Sequence, residues 1–228
     1  MTLTLTHPFS MLVSGPSGAG KTNRVAELIK YKKQLISPEP KAVYFCYSEW
    51  QSLYETDAFT GVQFIQGLIE IDQIDVSIPN LLIIDDLMSL LGKKDGSIIS
   101  DTFTKHSHHK NLSVILITQN MFEKGPHMRN CQLNSHYQIL FKNPRDRLQI
   151  THLARQMYPN QVKFMLSAYN DAVAKPYGYL FIDLKQNTEE WMRLRTGIFP
   201  NELCYVYLPK SNSIHLPSSL ETVNKYEQ

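Results

Sequence analysis

Short apolar segments rich in β-branched residues alternate along the chain with longer amphipathic segments. This alternation predicts strands and helices in turn, and the spacing of the apolar segments is too wide for hairpins. Residues 81–84 are apolar without a polar break, which is typical of a strand that helices cover on both faces of a parallel sheet. We therefore predict an α/β fold with a mostly parallel central sheet and helices on both faces.

The pattern defines six strands and three helices. A further helix is expected between the second and third strands, where the chain has room for one. The predicted strands span residues 9–14, 41–47, 81–85, 113–118, 136–142 and 178–184. The predicted helices span residues 21–33, 146–157 and 160–173.

The composition fits one domain that can bury a core. Of the 228 residues, 43% are hydrophobic and 19% are charged, which excludes a disordered or collagen-like chain. We expect a folded domain over residues 1–207 and a flexible polar tail over residues 208–228. The apolar runs are far shorter than the roughly 18–20 residues that cross a bilayer, and no signal peptide is recognisable. These features predict an intracellular protein without a membrane partner.

The three cysteines form no CxxC pair and lie far apart in the sequence. This spacing fits reduced thiols better than a disulfide framework or a zinc site. We therefore expect no structural metal. The residues are Cys46, Cys131 and Cys204.

Eight residues match the phosphate-binding pattern G-x-x-x-x-G-K-[ST] without a gap. They follow an apolar strand and precede a predicted helix, which is the context that the pattern requires. The glycines let successive backbone N–H groups face an anion, and the helix N-terminus adds partial positive charge. The lysine is expected to reach the β- and γ-phosphates, and the threonine to bind Mg²⁺. The residues are Gly15, Pro16, Ser17, Gly18, Ala19, Gly20, Lys21 and Thr22.

Two acids, Asp85 and Asp86, end the third predicted strand. Ligands of open α/β sheets gather at the carboxyl ends of strands, so Asp85 is expected to hold Mg²⁺ through water. Asp86 is expected to orient the attacking water and accept its proton, an arrangement typical of hydrolases rather than kinases. The alternative is an ordinary strand-to-helix turn with Asp86 as the N-cap.

The order of the elements favours an adenine nucleotide. The predicted strand at residues 41–47 is inserted between the phosphate-loop strand and the acidic strand. This order is typical of ATPases whose catalytic acid adjoins the metal acid, and the guanine-reading Asn-Lys-x-Asp is absent. The strand that ends in Thr118, Gln119 and Asn120 should lie beside the acidic strand. Gln119 is expected to sense the γ-phosphate there, and a polar loop cap is the alternative.

Positive charge is concentrated in the middle of the chain. Residues 1–100 hold eight Lys/Arg and eleven Asp/Glu, whereas residues 105–155 hold eight and two. The second stretch indicates either a solvated face or a surface that meets the phosphate of a nucleotide or a nucleic acid.

The segments GPSGAGKT, LLIIDDL and SVILITQN, in this order, resemble the FtsK/HerA superfamily of DNA-pumping ATPases, and in particular its viral genome-packaging branch. LNSHYQILFKNPRDRLQITHLARQMYP, KPYGYLFIDLKQ and RTGIFP are similar to the packaging ATPases of Polinton/Maverick elements and related viruses. The resemblance spans roughly residues 9–200. It implies a RecA-like, ASCE-type P-loop NTPase fold with ATP and Mg²⁺ at the site.

At matching positions the resemblance implies that residues 15–22 form the Walker A loop, Asp85 the Walker B metal acid and Asp86 the catalytic acid. Gln119 would be the sensor glutamine. Cellular relatives usually carry glutamate where this chain has Asp86, which is one methylene shorter. Glu49 is therefore a further candidate for assisting the water.

The resemblance also implies a ring, usually a hexamer, in which an arginine from a neighbouring subunit completes each site. Arg129 is the first choice because it follows the sensor strand in an expected loop, and Arg145 is the second, with Arg147 beside it. The alternative for each is a surface salt bridge.

The implied activity is ATP-driven, sequence-nonspecific translocation of double-stranded DNA into a capsid, in the host nucleus or a cytoplasmic virus factory. Pore loops at residues 50–62 or 89–111 would grip the DNA, and a capsid protein would be a partner. Two alternatives remain: a small-molecule kinase that uses the same phosphate loop, and a non-hydrolysing module in which ATP orders an assembly.

Overall fold

The computed structural model describes residues 4–87, 95–106, 110–121 and 126–209. Within these ranges nine strands form one sheet, and two short strands pair separately. No helix of this part of the chain is long and apolar enough to span a membrane. The tail that we predict beyond residue 207 lies outside the described residues from position 210 onward.

The elements alternate as the hydrophobic pattern predicts. The strands are β1 (Leu5–Thr6), β2 (Ser10–Ser14), β3 (Ile36–Ser37), β4 (Ala42–Tyr47), β5 (Gln63–Gln66), β6 (Asn80–Asp85), β7 (Leu112–Thr118), β8 (Tyr137–Phe141), β9 (Tyr179–Asp183), β10 (Leu194–Thr196) and β11 (Tyr205–Val206). The helices are α1 (Lys21–Lys30), α2 (Lys32–Leu35), α3 (Asp95–Asp101), α4 (Pro126–Leu133), α5 (Leu148–Met157) and α6 (Val162–Ala172). A π-helical turn, Thr102–His106, continues α3.

The sheet has the order β11-β10-β9-β8-β2-β7-β6-β4-β5. The six strands from β8 to β5 are mutually parallel, and β9, β10 and β11 extend the sheet beyond β8 in antiparallel pairs. Strand β7, which precedes Gln119, pairs with the acidic strand β6, as predicted. In the sheet it is β7 that separates β6 from the loop strand β2, whereas β4 pairs with the opposite edge of β6.

Helices cover both faces of the sheet, because alternate residues of a strand point to opposite sides. In β6, Leu82 and Ile84 face a core that α3, α4, α5 and α6 complete. Leu81 and Ile83 face a second core, which α1 and α2 complete. A strand buried on both faces cannot alternate polar and apolar residues, which explains the unbroken apolar run that predicted it.

The helix expected between the second and third strands is absent from the described residues. Three short 3₁₀ turns occupy this region together with the edge strand β5: Ser52–Glu55, Asp57–Phe59 and Ile71–Gln73. Gly61 and Gly67 adopt positive φ angles of 78° and 87°, which a continuous helix cannot accommodate. The expectation of a helix was therefore wrong, and the sheet gains a sixth parallel strand instead.

A buried ion pair fixes the antiparallel end of the sheet. Arg195 in β10 donates from Nη2 to Oδ2 of Asp183 in β9 at 2.9 Å, and the two side chains are 3% and 10% exposed. The guanidinium also lies 5.0 Å from the centre of the Phe181 ring. Removing one partner of a buried pair leaves the other charge without compensation.

We expect Arg195→Met to lower the free energy of unfolding by about 3 kcal/mol, because Asp183 would stay buried without its cation. Urea denaturation monitored by circular dichroism measures this loss. The control is Lys105→Met, which breaks an exposed pair with Asp101 and should cost less than about 0.5 kcal/mol. Similar losses of unfolding free energy in the two variants would show that burial does not make the Arg195–Asp183 pair more costly to break than an exposed pair.

Candidate nucleotide-binding and catalytic site

The phosphate loop connects β2 directly to α1, as the sequence predicts. Gly18 and Gly20 adopt φ angles of 78° and 92°, and Gly20 is the N-cap of α1. A Cβ atom on Gly15 would lie 2.7 Å from the Cβ atom of Phe141, so the loop passes close over β8. The positive φ angles at Gly18 and Gly20 and the close approach at Gly15 each favour glycine over a residue with a Cβ atom. The loop therefore has the backbone of an anion-binding turn at a helix N-terminus.

Lys21 lies folded over the loop that precedes it. Its Nζ donates to the carbonyl oxygens of Gly15 at 2.7 Å and Pro16 at 3.0 Å. Burial lowers the pKa of the Lys21 ammonium, and the nearby carboxylates Asp85 and Asp86 oppose that shift. The Lys21 ammonium therefore lies within the loop at the N-terminus of α1, where it could meet an anion that binds there.

Thr22 and Asp85 lie together at the start of α1 and the end of β6. The Thr22 hydroxyl donates to Oδ2 of Asp85 at 3.1 Å, and Asp85 is only 4% exposed. Burial raises the pKa of the Asp85 carboxyl, against the effect of its hydrogen bonds from Thr22 and Tyr54. A hydroxyl and a carboxylate are the oxygen ligands that Mg²⁺ accepts while keeping several waters. The two residues thus fit the magnesium site that the sequence predicts.

Asp86 and Gln119 extend from neighbouring strands and contact each other. Gln119 Nε2 donates to Asp86 Oδ1 at 3.3 Å, and both side chains are exposed. Asp86 has a φ angle of 53°, a sparsely populated conformation for a residue with a Cβ atom. Such conformations cluster at functional sites. The predicted catalytic acid and the predicted sensor are therefore adjacent, at the carboxyl edge of the sheet where the phosphate loop begins.

A hydrogen-bonded chain that the sequence pattern does not predict links the residues after β7 to the turn before α5. Gln149 Nε2 donates to Asn120 Oδ1 at 2.7 Å and to Asp146 Oδ2 at 2.8 Å. Asp146 Oδ1 accepts the N–H of Leu148, so α5 begins two residues after the predicted start. No local sequence pattern predicts this contact, because Gln149 and Asn120 lie 29 positions apart in the chain.

The candidate trans-acting arginines are exposed in two different settings. Arg129 lies within α4, so its assignment to a loop was wrong. Arg145 and Arg147 lie in the turn between β8 and α5, at the carboxyl edge of β8. Glu49 is exposed after β4, and among the described contacts no hydrogen bond joins it to Asp86.

No model of a known protein family matches this chain. No curated protein matches its sequence either.

Solved structures do match. The genome packaging NTPase B204 from Sulfolobus turreted icosahedral virus 2, in complex with sulfate, aligns with a TM-score of 0.54 at 14% identity, covering 89% of this chain and 98% of that one. Its complex with ATP-gammaS aligns at 0.52, with 15% identity over 89% and 98%. B204 from Sulfolobus Turreted Icosahedral Virus, the DNA-packaging ATPase, aligns at 0.54, with 12% identity over 90% and 99%. The fold is that of a RecA-like P-loop NTPase.

In a RecA-like P-loop fold, the nucleotide site is the carboxyl edge of the parallel strands. This edge carries the phosphate loop after β2, the two acids at the end of β6 and Gln119 after β7. Tyr177 adds an exposed aromatic ring that packs against Gly20, and it also has a positive φ angle, of 58°. Two strained residues with side chains thus flank the loop region.

We expect Asp85→Asn to raise the free energy of unfolding by about 1 kcal/mol near neutral pH, since it removes a buried charge that folding must desolvate. Burial raises the pKa of Asp85, so the folded protein binds a proton more readily than the unfolded chain does. The free energy of unfolding of the wild type should therefore rise as the pH falls towards the raised pKa. Its difference from the free energy of unfolding of Asp85→Asn should become smaller. Urea denaturation at several pH values measures this gap.

The control is Asp75→Asn. Hydrogen bonds from the Ser77 side chain and backbone lower the pKa of the exposed Asp75, so acid should favour unfolding at this position rather than oppose it. Asp75→Asn should give no gain in stability at neutral pH. An Asp85→Asn variant that is less stable than wild type across the whole pH range would contradict the buried-charge argument.

Proposed function

We propose that the protein is an ATP-driven translocase that moves double-stranded DNA into the capsid of a virus or virus-like element. The contact between Gln119 and Asp86 beside the phosphate loop carries the proposal. A carboxylate and an amide that face solvent together can hold a water molecule, whereas a kinase must exclude water from its phosphate. The packaging NTPases B204, which share the fold, support the DNA-packaging role.

Each site would hydrolyse ATP with groups that lie at the carboxyl edge of the sheet. The backbone N–H groups of the loop and the Lys21 ammonium would bind the phosphates. Thr22 and Asp85 would hold Mg²⁺, which when bound neutralises charge on the β- and γ-phosphates. Asp86 would orient a water molecule whose oxygen bonds to the γ-phosphorus while the bond to the bridging oxygen breaks. The water proton passes to Asp86, and ADP and phosphate leave.

The active form would be a ring, and a hexamer is the size we propose. An arginine from the neighbouring subunit would stabilise charge on the transferring phosphoryl group, which makes hydrolysis depend on assembly. Arg129 and Arg145 are both exposed and available for that contact. Because Arg129 lies in helix α4 and not in a loop, the two arginines are equal candidates.

DNA would be gripped through its phosphates without regard to sequence. The stretch of residues 105–155 holds eight Lys/Arg and two Asp/Glu, and exposed cations that contact phosphate release counterions from DNA. Binding should therefore weaken as salt is raised. Residues 50–62, which have both exposed and buried side chains, remain a candidate for a pore loop. Of the other candidate, residues 89–111, only 95–106, 110 and 111 are described.

The biological setting follows from the resemblance of the sequence. We propose a source related to Polinton/Maverick elements and their viral relatives, a capsid protein as a partner, and action in the host nucleus or a cytoplasmic virus factory. The polar tail from residue 208 is a candidate for capsid docking.

We expect steady-state ATP hydrolysis to rise more than linearly with protein concentration, because sites form between subunits, and to increase when double-stranded DNA is added. Asp86→Ala should lower the rate by about 100-fold or more, as for loss of a general base. A coupled phosphate-release assay measures both effects. Asp75→Asn, which removes an exposed acid outside the candidate site and both candidate pore loops, is the control and should retain the wild-type rate.

Other outcomes of that assay separate the alternatives. A rate of ATP turnover that depends on neither DNA nor protein concentration would contradict the proposed translocase. The small-molecule kinase would then be tested with candidate phosphate acceptors. Nucleotide binding without turnover, lost in Lys21→Ala but not in Asp86→Ala, would indicate an assembly module instead.

We expect one of the variants Arg129→Ala and Arg145→Ala to lose ATP hydrolysis by about 10³-fold, the usual effect of removing a trans-acting arginine. Mixing that variant with Lys21→Ala subunits should restore part of the rate, because the Lys21→Ala subunit supplies its arginine to an intact phosphate loop next to it. The other arginine variant should keep its activity. Loss of activity without any recovery on mixing would show that the arginine acts within its own subunit or only in folding.

A further inference from the structure

A buried tyrosine contacts the proposed metal acid from a distant part of the chain. Tyr54, in the 3₁₀ turn Ser52–Glu55, is 4% exposed, and its hydroxyl donates to Oδ2 of Asp85 at 3.4 Å. A phenol hydroxyl that folding removes from water needs a hydrogen-bond partner. Asp85 is that partner, and it accepts the Thr22 hydroxyl on the same oxygen.

The Tyr54 ring is held in place by other aromatic side chains, which together with it form the aromatic cluster. Its centroid lies 5.0 Å from that of Phe45 and 5.1 Å from that of Phe64, with which it stacks. Because each ring constrains the others, the hydroxyl has a fixed direction towards the end of β6. The cluster comprises Phe45, Tyr47, Trp50, Tyr54, Phe59 and Phe64.

The Asp85 carboxylate receives hydrogen bonds on one of its two oxygens. The Thr22 hydroxyl and the Tyr54 hydroxyl both donate to Oδ2, at 3.1 Å and 3.4 Å. Among the described contacts no hydrogen bond reaches the other carboxylate oxygen of Asp85, so both donors lie on one oxygen.

We infer that Tyr54 is a positioning residue for the metal acid: its hydroxyl holds Oδ2 of Asp85 and leaves the second oxygen free for Mg²⁺ or its water. The inference rests on the proposed function, since it takes Asp85 to be the magnesium ligand. Partners that orient a metal ligand typically alter metal affinity by about 10–100-fold when removed. Tyr54 thus links the segment between β4 and β5 to the chemistry at β6.

The test is Tyr54→Phe, which removes the hydroxyl and keeps the ring in the aromatic cluster. Calorimetry would measure the affinity for a non-hydrolysable ATP analogue over a series of Mg²⁺ concentrations. We expect the Mg²⁺ concentration at half-effect to rise about tenfold, while the affinity measured without Mg²⁺ stays at the wild-type value. A purely structural role would change both affinities together.

The matched control is Tyr137→Phe. Tyr137 is also buried, but its hydroxyl accepts the N–H of Thr6 at 3.2 Å, and Tyr137 lies at the amino end of β8. The emission of Trp50, measured in a Trp191→Phe background, monitors the packing of the cluster, because the Trp50 ring lies 5.4 Å from that of Tyr54. An unchanged spectrum in Tyr54→Phe is expected.

Each result has one consequence. A Mg²⁺ dependence in Tyr54→Phe equal to that of wild type would overturn the inference and leave the proposed function standing. An equal shift in Tyr137→Phe, or a changed Trp50 spectrum with altered Mg²⁺-free affinity, would also overturn it, since the effect would then be one of packing. Nucleotide binding by wild type that ignores Mg²⁺ altogether would overturn both the inference and the proposed metal site.

Discussion

Three parallel strands end at nearly the same level of the sheet, and every polar group of the candidate site depends on that register. Ser14, the last residue of β2, lies opposite Thr118, the last residue of β7. Asp85, the last residue of β6, lies opposite Ile117. Hydrogen bonding between strands thus brings together the residues that follow them. A shift of β6 by one residue would turn its side chains to the opposite face and separate Asp85 from Thr22.

The same edge concentrates features that oppose stability. Asp85 carries its carboxylate in a buried setting that raises its pKa, Lys21 is half-buried, and Asp86 has a positive φ angle. Each costs free energy, and the two apolar cores on either side of the sheet must offset the sum. Lys21 and Asp85 carry charges that are poorly solvated in the folded protein. An anion bound near Lys21 and a cation bound near Asp85 would compensate these charges and lower the cost of burying them.

The positions of the candidate site residues could be predicted from the sequence where those residues lie near each other along the chain. The phosphate loop is eight consecutive residues, and the two acids end an unmistakable buried strand. The position of Gln119 beside the acidic strand could be predicted because parallel strands that follow one another tend to be neighbours. All six predicted strands are present with boundaries within two residues. These features are local, or follow from a general rule of sheet topology.

Contacts between distant segments could not be predicted in the same way. Tyr54 reaches Asp85 across 31 positions, from a region that we expected to be a helix, because no periodic pattern encodes the packing of six aromatic rings. Gln149 donates to Asn120, just after β7, and the sequence does not specify this partner. Arg129 was assigned to a loop because the helix α4 has a weak amphipathic pattern. In each case tertiary packing decided, as it does when local propensity is weak.

Asp86, the proposed catalytic acid, combines a local feature with a long-range one. Its side chain is one methylene shorter than that of a glutamate, so in the proposed mechanism the backbone must place the carboxylate closer to the phosphate. The φ angle of 53° at this residue shows a backbone that departs from the strand direction at once, and the Gln119 amide restrains the carboxylate from the neighbouring strand. The positive φ angle of Asp86 and the hydrogen bond from Gln119 together can position a short side chain. In the proposed mechanism the length of the acid and the conformation of the turn therefore determine the position of the water together. A change in either one alone would move the water.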